Sequence, residues 1–290
     1  MSYEILSMGG VAKNLNNLVY TDYYYRLKLL AKSVFQWENL PNGIDESWIE
    51  EYLFTHGECV FLKDASLGLM VARVTRNGLN AYDEPTGLVP TATGHIFKKS
   101  TYSPKECVLI KNNDLSIPTL YTIQLFAYDL ARIHRTIDTN IKALKTPVLI
   151  QCSEKQKKSL KIVYNQWDEN QPVIWGDPDL DISNFKVLKT DAPIVFDKLQ
   201  IQKHAIWNEA MTFLGINNAN MDKRERLVDD EVQANNEQIE LSASVMLKSR
   251  QRACDLINDM FKPDKSVTVK MRNISEIKKM LDETKEGDFE

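Results

Sequence analysis

Apolar residues recur at three- and four-residue steps in several long stretches of this chain and alternate in shorter ones. In TDYYYRLKLLAKSVFQWENL, residues 21–40, Tyr24, Leu27, Leu30, Ala31, Val34 and Trp37 mark one face, Thr21 and Asp22 offer a cap, and Pro41, Asn42 and Gly43 end the run. That spacing predicts a helix. DESWIEEYLFTHG reads as a short helix closed by Gly57, and ECVFLKD and LGLMVARVT read as strands. Residues 76–117 hold Gly78, Pro85, Gly87, Pro90, Gly94 and Pro104 between β-like pieces such as ECVLIK, which predicts a small irregular sheet.

Pro118 opens the longest helical pattern, running to Leu144 with Leu120, Ile123, Ala127, Leu130, Ile133, Ile137, Ile141 and Leu144 on one seam. At 1.5 Å per residue this is about 40 Å of helix. KTPVLIQ, KSLKIVYNQ, PVIW and FKVLK then read strand, helix, strand, strand, a small module inserted between helices. Further helices are expected at about Phe196–Leu214 and Asn236–Phe261, followed by a strand, SVTVKMR, and a charged helix, ISEIKKMLDETK.

At 290 residues, with 43% hydrophobic and 26% charged side chains, the chain can bury a substantial core. Its net charge of −4 lacks the basic excess of a protein built to grip nucleic acid tightly, so any DNA contact is expected to be local or loose. Cys59, Cys107, Cys152 and Cys254 have no C-x-x-C spacing and sit in or beside apolar segments, the pattern of reduced, buried thiols in an intracellular setting. His56, His95, His134 and His204 stand far apart, which argues against a zinc site. No basic leader and no membrane-spanning apolar run is visible.

One passage breaks the pattern. GINNANMDKRERLVDDEVQANNEQ, residues 215–238, carries five Asn, six acidic and three basic residues between two strongly helical segments. Loops this long within compact domains are usually functional or disordered.

FQWENLP (35–41), KTPVLIQ (145–151), VYNQW (163–167) and above all KTDAPIVFDKLQIQKHAIWNEAMTFLGINNAN (189–220), continuing through KRERLVDDEV, NNEQIE and LKSR, closely resemble the upper collar, or head-tail connector, protein of Picovirinae-like small podoviruses. That is a portal protein. The resemblance runs in order over roughly residues 19–262 and is most specific from 145 to 250; it is weak from 64 to 106, and the first 17 residues depart from it.

The resemblance implies a mainly α fold with small α/β parts: an N-terminal arm at 1–17, an α/β wing at 18–117 and 237–290, stem helices at 118–144 and 195–216, a small α+β clip at 145–194 and a channel loop at 217–236. It implies a ring of twelve subunits at one capsid vertex of the virion, assembled in the host cytoplasm. DNA would pass through the centre during packaging, retention and ejection. Partners would be major capsid and scaffold proteins, lower collar or tail proteins and a packaging ATPase, with no enzyme activity, no cofactor, no metal and no membrane.

Lys189 and Lys198 match the positions whose lysines ring the channel in this family. Twelve ammonium groups around a narrow bore would attract DNA without holding it in register. In the loop, Lys223, Arg224 and Arg226 are candidate phosphate contacts, with Asn217, Asn218, Asn220, Asp229, Asp230 and Glu231 as polar, mixed-charge company that bars a tight grip. Family members bind packaging RNA partly through a basic N-terminal arm. MSYEILSMGGVAKNLNN offers only Lys13, which puts that partner in doubt.

Two other function classes compete. WGDPDLDISNF followed by APIVFDK echoes a small-molecule phosphotransferase of kinase-like fold, with Asp177 as base and Asn184 and Asp197 on magnesium. The spacing from Asp177 to Asn184 is too long, and no Gly-rich loop precedes it. A generic nucleic-acid-binding scaffold protein would bind DNA salt-sensitively without forming a ring. The aromatics Tyr23, Tyr24, Tyr25, Trp37 and Trp207 suit either a subunit interface or the subunit's own core.

Overall fold

Why helices and strands alternate as they do is clearest at strand β2 (Glu58–Asp64), whose CVFL run is buried on both faces rather than alternating. Cys59 and Phe61 enter the main core, and Val60 and Leu62 a second cluster with Ala72, Leu88, Tyr102 and Cys107. An apolar run of this kind marks a strand covered on both sides. The computed structural model describes residues 11–144, 148–150, 185–187, 195–217 and 229–272. They divide into two units, one of residues 1–132 with 203–290 and one of residues 133–202.

In the larger unit, β2 pairs antiparallel with β3 (Gly68–Leu79) and β5 (Cys107–Lys111), and β3 with β4 (Pro85–Thr91), giving the order β4-β3-β2-β5. The irregular region expected at 76–117 is thus more ordered than its Gly and Pro content suggests, because β3 runs on to Leu79 and hairpins into β4. The turn is held by Asn80, whose side-chain oxygen accepts from the amides of Tyr82 at 2.8 Å and Glu84 at 3.0 Å. Helix α2 (Glu46–His56) leads into the sheet: Asp45 caps it by accepting from Ser47 N at 2.7 Å. Gly57 ends it at φ +79°, where an added Cβ would stand 2.0 Å from the Ser116 carbonyl oxygen.

Helix α1 (Val11–Ser33) begins earlier and stops sooner than the apolar spacing predicts. Its first residues take in much of the segment expected to be an arm. Asp22 is an interior residue paired with Arg26 at 3.0 Å rather than a cap. The FQWE segment is not helical: it forms β1 (Phe35–Glu38), paired antiparallel with β8 (Thr268–Met271) from Phe35↔Met271 to Glu38↔Thr268. Pairing wins because Phe35 and Trp37 both point into the core while Arg272 closes the helix end, its Nε donating to Ser33 O at 3.0 Å and its amide to Val34 O at 2.8 Å.

The main core gathers α1, α2, β2, β5, β8, the first half of α3 (Leu120–Leu144), the second half of α4 (Phe196–Leu214) and α5 (Asp229–Phe261). Ile123, Ala127 and Leu130 bring in α3, while Ala210, Met211 and Leu214 bring in α4. Tyr23 and Trp37 are buried here, so these two belong to the subunit's own core; Tyr24 and Trp207 are half-buried against it, and Tyr25 is exposed.

The smaller unit contains the end of α3, the start of α4 and an antiparallel pair, β6 (Val148–Ile150) with β7 (Phe185–Val187). Asn140 accepts from Val195 N at 3.3 Å, tying the approach to α4 back to α3. The helix expected in KSLKIVYNQ, the strand in PVIW and the tail helix in ISEIKKMLDETK lie outside the described residues, as do residues 1–10.

Candidate functional site

Two helices, α4 and α5, flank the polar passage, and both of its ends are visible. Helix α4 starts and stops where its sequence predicts. Its C-terminus closes in a 6→1 and a shorter bond, Ile216 N to Met211 O at 2.9 Å and Gly215 N to Thr212 O at 3.1 Å. Gly215 sits at φ +74°, and an added Cβ would lie 2.5 Å from Ala243 Cβ. The end of α4 is therefore seated against α5, and only glycine fits there.

Helix α5 begins at Asp229, seven residues before the expected start at Asn236. Asp229, Asp230 and Glu231, read from sequence as loop, occupy its first turn. The physical reason is the helix dipole: three carboxylates are favoured at a helix N-terminus, so the acidic run starts a helix rather than extending a loop. Residues 229–236 of the expected channel loop are therefore helical, and residues 218–228 lie outside the described residues.

Of the expected DNA-facing residues, Lys198 is exposed on the first turns of α4, where Ile201, Ala205 and Glu209 are exposed at helical spacing along it. Asn217 is exposed just past the Gly215 cap. Lys189, Asn218, Asn220, Lys223, Arg224 and Arg226 lie outside the described residues. Of the phosphotransferase set, Asp197 occupies the first turn of α4, and Asp177 and Asn184 are likewise outside.

Further along, α5 carries a residue that periodicity alone did not single out. Arg250 is 2% exposed, and all five of its N–H donors are used: Nε to Glu50 Oε1 at 2.9 Å, Nη2 to Glu50 Oε2 at 2.8 Å and Asn112 Oδ1 at 3.0 Å, Nη1 to the carbonyls of Asn112 and Met246, each at 3.1 Å. Its guanidinium stacks 4.0 Å from the Phe35 ring centre. Glu50 also accepts from Trp37 Nε1 at 2.9 Å, and Asn112 donates to Thr119 Oγ1 at 2.9 Å. One side chain thus fastens α5 to α2, to β1 and to the segment leading into α3. The signal was present in the sequence: Arg250 occupies the buried stripe Met246, Cys254, Ile257, where an arginine must find partners.

The described thiols are free and buried. Burial pushes Cys107 up to about 11 and Cys254 up to about 12, so neither is poised as a nucleophile. Among the described residues no cluster of three or more His, Cys, Asp or Glu could hold a metal ion, and no helix is long and apolar enough to cross a membrane.

Long helices packed around a four-stranded antiparallel sheet make up the larger unit. The phage connector (GP10) family matches residues 2–275, nearly the whole chain, and the chain belongs to that family. It is similar to a chain in the portal and tail of native bacteriophage P68, with 14% identity, 97% of this chain and 96% of that chain covered, and a TM-score of 0.52. At that identity the likeness shows the fold, a portal-protein fold. An HK97-family phage portal protein from Corynebacterium diphtheriae matches more loosely, at 10% identity over 88% of this chain and 93% of that one, with a TM-score of 0.43. The protein is a head-tail connector of the portal class.

Proposed function

We propose that this connector closes into a ring at one vertex of the virion capsid and that double-stranded DNA passes through the ring during packaging and ejection. The match to the phage connector family across residues 2–275 carries this proposal. The ring has twelve subunits, contacts capsid, scaffold and tail proteins, and seats a packaging ATPase; the chain is not itself the enzyme. Lys198, exposed on α4, and Lys189 present a weak ring of positive charge to DNA, while the segment between Gly215 and Asp229 reaches into the bore.

Weak contacts suit a conduit. Each phosphate contact is screened by salt and none reads sequence, so DNA slides instead of binding. The single basic residue in MSYEILSMGGVAKNLNN gives packaging RNA little to hold by that route, and Val11 onward is already helical.

Two variants test the conduit. Lys198→Ala should leave ring formation intact and alter DNA retention; a variant unable to form rings would contradict the channel assignment. Deleting residues 218–228, which spares both helices, should permit packaging yet let DNA slip back from the filled head. Normal yields of stably filled particles from that deletion would remove the loop's role.

A further inference from the structure

Helices α1 and α3 each bury one face in the core of the larger unit and display a second apolar stripe outward. On α1 the inward face is Tyr23, Leu27 and Ala31, while Leu18, Tyr25 and Leu29 are 56%, 56% and 68% exposed. On α3 the inward face is Ile123, Ala127 and Leu130, while Tyr121, Leu125 and Tyr128 are 65%, 61% and 58% exposed. A helix that packs only within its own chain needs one such face. At roughly 200 Å² for each large side chain, each stripe leaves on the order of 300–400 Å² uncovered, as much as the largest apolar patch of a typical monomer.

A ring built by rotation uses heterologous contacts, in which one patch of each subunit meets a different patch of the next. Two stripes on two helices are what such a contact requires, whereas a two-fold dimer would need only one. We propose that the α1 stripe of one copy docks on the α3 stripe of the next; this rests on the ring proposed above.

Charge sets the direction of docking. Each helix carries an acid N-terminal to its base beside the stripe, Asp22 with Arg26 at 3.0 Å and Asp129 with Arg132 at 3.1 Å. In an antiparallel crossing that sets Leu29 over Leu125, Asp22 comes level with Arg132, and Arg26 with Tyr128 and Asp129. Unlike charges then meet at two points beside the seam.

The test uses full-length protein and light scattering. Leu29→Asp spoils the α1 stripe and Leu125→Asp the α3 stripe, both at exposed positions where the fold does not depend on the side chain. Each variant alone is expected at the subunit mass of 33.3 kDa, and an equimolar mixture at twice that, because the one intact pairing joins two chains whose outer stripes are both spoiled. Either variant alone at the mass of the wild-type oligomer, Leu29→Asp pairing with itself, or a mixture that stays monomeric would overturn the docking while leaving the ring standing. A wild-type protein that remains monomeric would overturn the ring, and the docking with it.

Discussion

Replacing Arg250 by Met removes a charge from the place where α5, α2 and β1 meet, and the cost can be worked from the contacts. Five hydrogen bonds are lost at once, two of them to the Glu50 carboxylate, which is 3% exposed and keeps only the Trp37 indole as a donor. Methionine fills much of the volume and preserves contact with Phe35, so the loss is electrostatic rather than a cavity. Breaking one side of a buried ion pair costs about 3–5 kcal/mol, chiefly because the remaining charge is stranded. For a domain of 150–250 residues this lowers the melting temperature by roughly 10 °C. Thermal unfolding followed by circular dichroism measures it, with Glu50→Gln/Arg250→Met as the control that removes both charges. The double variant is expected to be more stable than the sum of the single losses. An Arg250→Met protein within about 1 kcal/mol of wild type, against the 3–5 kcal/mol expected for a broken buried pair, would refute the stranded-charge reasoning.

Gly215→Ala should destabilise by about 2 kcal/mol, from left-handed backbone at φ +74° and from collision with Ala243 Cβ at 2.5 Å; adding Ala243→Gly should restore only the steric part, as read by urea midpoints. Asp64 accepts from the Ser66 hydroxyl and amide and from the Leu67 amide, with His95 Nε2 3.3 Å away, and these hold its carboxyl below the ordinary carboxylate range. A depressed folded-state value means that its contribution is fully present above the unfolded value, about 3.9, and is lost as pH falls through the folded one. Asp64→Asn should therefore unfold with a shallower pH dependence below about pH 4 than wild type; identical acid limbs would count against this.

Local pattern specified the long helices best. The ends of α4 follow from its cap chemistry, Gly215 above all, and the seam from Leu120 to Leu144 is an unbroken helix because nothing in it interrupts the period. What periodicity missed depends on residues distant in sequence. Phe35 and Trp37 continue the apolar spacing of α1, and only the arrival of TVKM at 268–271 turns FQWE into a strand. Asp229–Glu231 look like loop by composition yet start a helix by charge, and Arg250, though on the apolar stripe of its helix, has partners, Glu50 and Asn112, that lie far away in sequence. At the candidate site, Lys198 and Asn217 are exposed, and their bearing on DNA depends on neighbouring copies that no single chain contains.

The most direct test of the connector assignment is the solution mass of the purified protein by light scattering at moderate and high salt. A closed ring predicts a single particle near 400 kDa, about twelve times the 33.3 kDa subunit, stable at both salt concentrations because apolar stripes hold it together. A protein that stays at 33.3 kDa under both conditions would contradict the ring on which the conduit depends.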